Sequence, residues 1–166
     1  MDEDQQERPP PGGRDPFERA VELAYRSIAR RDRTVAEVRA FLERKEIEPE
    51  PLEHALGELV EAGWLDDDRF AQRLAEDKRE IERWGSQRIE RELRRRGVPE
   101  DAIAAAAGDQ DRELELSAAL DILTQKAGPL DHDRERDRAW RLLVRKGYEP
   151  ELAYEAVREF GRRAAA

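Results

Sequence analysis

The residues in this chain best suited to chemistry are arginines. Arg88, Arg91, Arg94 and Arg95 crowd one short segment, and Arg134, Arg138, Arg141 and Arg145 recur at i, i+4, i+7 and i+11 in another. With 3.6 residues per helical turn, Ile89 and Leu93 share one face of the first segment and the four arginines occupy its outer side. In the second segment Trp140, Leu143 and Val144 form the apolar face. Like charges at these spacings repel by about 0.2–0.5 kcal/mol per pair, so helix stability does not account for them. The planar guanidinium fork is suited to carboxylates and phosphates. Two readings stand for each stripe: ordinary solvated surface in an arginine-rich chain, or a surface that meets a partner.

Other candidate chemistry is thin. Asp66, Asp67 and Asp68 are carboxylates of the kind that hold hard cations. No further ligand is spaced nearby, and an N-cap followed by first-turn acids accounts for them. His54 and His132 are the only imidazoles, and neither has partners at the spacing that zinc or acid–base catalysis requires. Ser27, Ser86 and Ser117 lack the surroundings of an activated nucleophile. There is no phosphate-cradling glycine pattern and no cysteine. The sequence therefore gives no enzyme signal and no metal site, and no small-molecule substrate is expected.

Composition restricts what can position the arginines. Of 166 residues, 43% are charged, 38% are hydrophobic and only 6% are aromatic, too few apolar side chains for one thick core. Thin helical modules, each burying a stripe, fit better. Ala, Glu, Arg and Leu dominate, which is a helix-forming vocabulary. No apolar run approaches the ~20 residues that span a bilayer, and the start Met1-Asp2-Glu3-Asp4 lacks a secretory layout. The expectation is a cytoplasmic protein with no membrane contact. Net charge is −9, which argues against sequence-independent nucleic-acid binding. The charge is segregated, however. Residues 26–45 carry seven bases against three acids, residues 86–98 five against two, and residues 100–115 one against six.

An internal repeat organises the chain. Val38, Leu42, Lys45 and Ile47, continuing to Leu52, Ala55 and Leu56, align without gaps on Ile89, Leu93, Arg96 and Val98, continuing to Ile103, Ala106 and Ala107. A third copy runs through Ala139, Leu143, Lys146 and Tyr148 to Ala153, Ala156 and Val157, with offsets of 51 and then 50 residues. In each copy a helix ends on a cation. Gly97 and Gly147 suit a left-handed C-terminal position. Glu46 stands where the first copy would have glycine, so a different cap is expected there. Pro49, Pro99 and Pro150 then suit the start of the next helix. Longer helices precede each pair, over Phe17 to Arg31, Asp67 to Trp84 and Asp111 to Lys126. Thr34 with Glu37 makes a capping box, Gly85 and Ser86 serve the second copy, and Asp131 or Asp133 caps the third. The fold class expected is all-α, with three tandem three-helix, helix-turn-helix-like repeats in an elongated, curved array. The expected boundaries are 16–63, 64–108 and 109–161, with a disordered tail over 1–15 and a frayed end over 162–166.

Trp64-Leu65-Asp66-Asp67-Asp68-Arg69-Phe70-Ala71, then Gly85-Ser86-Gln87-Arg88-Ile89-Glu90-Arg91-Glu92-Leu93 and Arg96-Gly97-Val98, resemble the signature of the bacterial regulatory protein RecX family. The similarity covers roughly residues 17–160. The middle copy carries its most specific part, and Lys146-Gly147-Tyr148 is typical of the third. The resemblance implies a non-catalytic regulator that binds the RecA nucleoprotein filament and inhibits ATP hydrolysis and strand exchange, in recombination, DNA repair and the SOS response. It implies no cofactor and carries over no contact residue. Many relatives are more basic than this chain, which leaves at most weak direct DNA contact. A monomer is expected. The alternative is a helix-turn-helix-like DNA-binding module, with one basic helix per repeat near a duplex.

Overall fold

The structure is a computed structural model, and it describes residues 15–108, 111–130 and 132–164. Among these residues there are nine helices and no strand: α1 (Pro16–Ile28), α2 (Val35–Glu43), α3 (Pro49–Glu61), α4 (Asp67–Glu80), α5 (Ser86–Arg95), α6 (Glu100–Ala107), α7 (Arg112–Lys126), α8 (Asp133–Lys146) and α9 (Pro150–Ala164). They form two compact units, one ending at Asp66 and one beginning at Asp67. None of the described helices is long and apolar enough to cross a membrane.

The first unit is a single helix triplet. Asp15 accepts a hydrogen bond from the Phe17 backbone at 3.0 Å and caps α1, with Pro16 at its first position. Thr34 and Glu37 form the expected reciprocal capping box at the start of α2. α1 and α3 run side by side in the same direction: Phe17 stacks on His54 at 4.3 Å, and eight residues further along each helix Tyr25 and Ala62 line one pocket. Ala20, Ala24, Val38, Leu42, Ile47, Leu52, Ala55, Leu56, Leu59 and Leu65 make the core. Alanines on the α1 face let its backbone approach α3 closely.

The second unit contains two triplets, α4–α6 and α7–α9, each around its own apolar cluster. All six aligned apolar positions in each of the three repeats are buried. The same backbone bond closes the second helix of every triplet: Ile47, Val98 and Tyr148 donate to the carbonyls of Leu42, Leu93 and Leu143 at 3.1–3.2 Å. The residue before each donor is left-handed, with φ of 74° at Gly97, 96° at Gly147 and 57° at Glu46. The expectation of a different cap in the first repeat is therefore corrected. Glu46 adopts the glycine conformation because the bond between α2 and α3 imposes it, at a cost of about 1–2 kcal/mol for a residue bearing Cβ.

Several helix ends differ from the sequence reading. α1 stops at Ile28 and α4 at Glu80, short of Arg31 and Trp84. In α4 the chain then turns through left-handed Arg83, and the Trp84 N–H returns to the Lys78 carbonyl at 3.0 Å. Pro49 and Pro150 open their helices, whereas Pro99 sits one position earlier as the N-cap of α6. His132 is the N-cap of α8, its N–H donating to the Glu135 carboxylate at 3.0 Å. Asp133 is the first helical residue instead, and Asp131 lies outside the described residues. α9 continues through Ala164, past the expected fraying point. The expected tail lies outside the described residues except for Asp15.

Replacing Glu46 by glycine relieves the left-handed strain. The first unit should gain about 1 kcal/mol in a denaturant titration that follows its unfolding; unchanged or lower stability would show that Glu46 is not strained.

Candidate functional site

The two arginine stripes part company in three dimensions. On α5, Arg94 forks onto Glu100 at 2.7 and 3.1 Å and reaches Glu90 at 3.4 Å. The Glu100 hydrogen bond raises the Arg94 pKa, and Arg94 in turn lowers that of Glu100. Arg95 makes a two-pronged bond to Glu92 at 2.9 and 2.7 Å, which holds that carboxyl below its ordinary range. Only Arg91 is exposed and without a partner among the described residues.

Arg88 is not on the outer side at all. It is half-buried, its guanidinium lies 4.0 Å from the centroid of Trp84, and it donates to the Arg145 carbonyl at 3.3 Å. Arg88 belongs to a polar joint between the second and third triplets. At this joint Gly85 and Gln87 donate to the carbonyls of Lys146 and Gly147 at 2.9 and 3.1 Å. The Lys146 ammonium reaches the Glu82 carbonyl at 2.5 Å, and the Tyr148 hydroxyl donates to the Arg83 carbonyl at 3.4 Å. Gly85 leaves the start of α5 without a side-chain cap of its own. Glu115 of α7 supplies one, accepting from both the N–H and the hydroxyl of Ser86 at 2.9 and 2.7 Å. The two glycines make this approach possible. A Cβ on Gly85 would stand 2.5 Å from the Gly147 carbonyl group and the Tyr148 nitrogen, and one on Gly147 would stand 2.6 Å from the Arg88 nitrogen.

On α8 the cations are less compensated. Arg141 pairs with Asp137 at 2.7 Å. Arg134, Arg138 and Arg145 are exposed, and their guanidinium groups have no partner among the described residues. Arg138 and Arg145 line an open groove of about 450 Å³ between the end of α7 and α8. Lys126 joins them across it, over a floor of Leu130, Ala139 and Leu142, with Glu135 as its one acid. Burial first, then the neighbouring Lys126 and Arg88 charges, lower the pKa of Lys146 beside this groove. The sequence brought Arg138 and Arg145 forward by their spacing. It did not bring forward Lys126, which sits alone at the end of a different helix.

Among the described residues, no group of three or more His, Cys, Asp or Glu side chains is arranged to hold a metal ion. Asp67 and Asp68 occupy the first turn of α4. His54 and His132 are exposed, the first stacked on Phe17 and the second capping α8.

Two changes test the joint. Gly85 has an ordinary φ of −80°, so Gly85→Ala acts by collision alone; it should speed amide exchange at Gln87 and destabilise the second unit by about 1–3 kcal/mol. Burial pushes the Tyr148 hydroxyl up to about 12. Its folded-state pKa lies above the unfolded value of about 10, so the stability it contributes is complete below pH ~10 and is lost as pH rises towards ~12. The wild type should therefore lose stability relative to Tyr148→Phe over that interval in paired thermal melts. Parallel pH profiles would refute the assignment.

Comparison with known proteins places this architecture. Residues 66–106 match the family model for the second three-helix domain of RecX, and residues 20–59 match that for the first. The chain is 35% identical over 146 residues to the regulatory protein RecX of Amycolatopsis mediterranei, an alignment covering 86% of this chain and 83% of that one. It is 34% identical over 143 residues to the RecX of Deinococcus radiodurans, covering 86% and 68%. The crystal structure of RecX from Lactobacillus salivarius superposes with a TM-score of 0.80 at 16% identity, over 88% of this chain and 97% of that one. A second RecX crystal structure gives 0.74 at 19%, over 87% and 72%. The helical repeats, the middle-repeat signature and these relatives together show that the chain belongs to the RecX family of regulatory proteins.

Proposed function

We propose that this protein is a non-catalytic, cytoplasmic regulator that binds the RecA–DNA filament as a monomer and inhibits its ATP hydrolysis and strand exchange. Family membership supplies the regulatory role, and the observation that gives it a surface is the set of unpartnered cations on α8. Arg134, Arg138 and Arg145, with Lys126 opposite, hold positive charge together although the protein as a whole is at −9. Such a cluster is relieved by an anionic partner, and a RecA–DNA filament presents both carboxylates and phosphates. Arg91 extends the same cationic character. Arg94, Arg95 and Arg141 can join only by exchanging their present carboxylates. Arg88 holds the joint that keeps α5 and α8 in register, and so acts on binding through position. The three repeats, with the boundaries expected from the sequence, offer several modules and many small contacts, which suits a repeating polymer.

The helix-turn-helix-like DNA-binding reading draws on the same cations, since an open basic groove accepts a phosphodiester. The two readings differ in salt response: naked-duplex binding through several phosphates weakens steeply with salt.

The double reversal Arg138→Glu and Arg145→Glu should raise the apparent Kd for RecA filaments at least about tenfold, some 1.4 kcal/mol, and should lift inhibition of DNA-dependent ATP hydrolysis. Co-sedimentation and a coupled ATPase assay measure the two effects, with helical circular dichroism unchanged. Wild-type protein that leaves hydrolysis untouched and stays out of the filament pellet would overturn the proposal. Tight binding to naked duplex with a steep salt slope would favour the DNA-binding module.

A further inference from the structure

The first unit exposes aromatic surface that its own core does not use. Tyr25 and Trp64 meet edge to face with ring centroids 5.5 Å apart, yet 38% of Tyr25 and 59% of Trp64 remain open to solvent. Both residues belong to the first unit. The α3 helix ends beside them, and left-handed Gly63 turns the chain so that the Trp64 N–H returns to the Leu59 carbonyl at 2.9 Å. The indole lies against α1 through its contact with Tyr25.

Beside this pair lies an open pocket of about 370 Å³ between α1 and α3, lined by Val21, Tyr25, Glu58, Leu59, Glu61 and Ala62. Its floor is aliphatic, one wall is a phenol ring, and its two charged groups are both carboxylates. Glu58 and Glu61 stand three residues apart on one helix. Neither has a cationic partner among the described residues, although arginine is abundant in the chain. Arg26, next to Tyr25, is turned instead to Glu22 at 2.5 Å.

We infer that the pocket between α1 and α3 is a docking site for an arginine side chain of a partner protein. Charge complementarity selects the occupant: two unpaired carboxylates beside apolar surface match a cation on an apolar stem. An arginine stem lies on Val21 and Ala62, its guanidinium plane packs against the Tyr25 ring, and its donors meet Glu58 and Glu61. Trp64 stands beside the pocket against the Tyr25 ring, an exposed aromatic of the kind that anchors interfaces. The site is acidic where the α8 groove is basic, so it addresses a different part of a partner and stands independently of the filament reading.

The test uses the intact protein and two probes. In an NMR titration, N-acetyl-arginine methylamide should shift the Trp64 indole N–H and the backbone amides of Tyr25 and Glu61 saturably, whereas the neutral isostere N-acetyl-citrulline methylamide should not. Glu58→Gln with Glu61→Gln should abolish the arginine response while leaving the amide spectrum of the core intact. Equal shifts with citrulline, or an arginine response that survives in the double variant, would overturn the inference.

Discussion

One backbone bond per repeat sets the geometry on which the remaining structure depends. Where α2, α5 and α8 end, an N–H five residues on folds back to a leucine carbonyl, and this is possible only if the intervening residue turns left-handed. The bond fixes the angle between the second and third helices of each triplet. Because the same bond recurs three times, the leucine before the turn and the aligned apolar residues after it are buried in each triplet. Where the position is glycine the conformation is nearly free. Where it is Glu46 the packing of Leu42, Ile47 and Leu52 must hold a strained backbone in place.

In the third repeat the same turn has a second use. Its glycine is bare on the side facing α5, so the backbone of the second repeat lies directly on it. What joins these two repeats is mostly main-chain carbonyls receiving donors, not an apolar seam. That explains the fate of Arg88. It stands in a row with Arg91 and Arg95 by spacing, but it is the one member whose base lies against Gly147, and Trp84 holds its guanidinium in the joint.

The sequence made the repeat legible because burial obeys a period. Aligned apolar positions predict a core without knowledge of any distant contact, and each of them is buried. The capping box at Thr34 and Glu37 was equally legible, since all its atoms lie within four residues. The joint was not. Ser86 finds Glu115, Lys146 finds the Glu82 carbonyl and Tyr148 finds Arg83 across 29 to 65 residues. Neither a period nor a local motif marks such pairs. The cationic groove was half legible for the same reason: Arg138 and Arg145 share a helical face, whereas Lys126 arrives from another helix. Spacing also treats Arg94 and Arg95 like Arg91, although only the first two have carboxylates within reach.

The distance along the chain between Ser86 and its cap has a consequence for biosynthesis. The first unit can close its core once Leu65 has emerged from the ribosome, because every residue of that core lies at or before this point. The middle repeat is different. Its apolar cluster is complete at Ala107, but the start of α5 keeps exposed donors until Glu115 and then Gly147 are synthesised. During the intervening elongation that helix end lacks these partners, so the second unit matures only after Gly147 has been made.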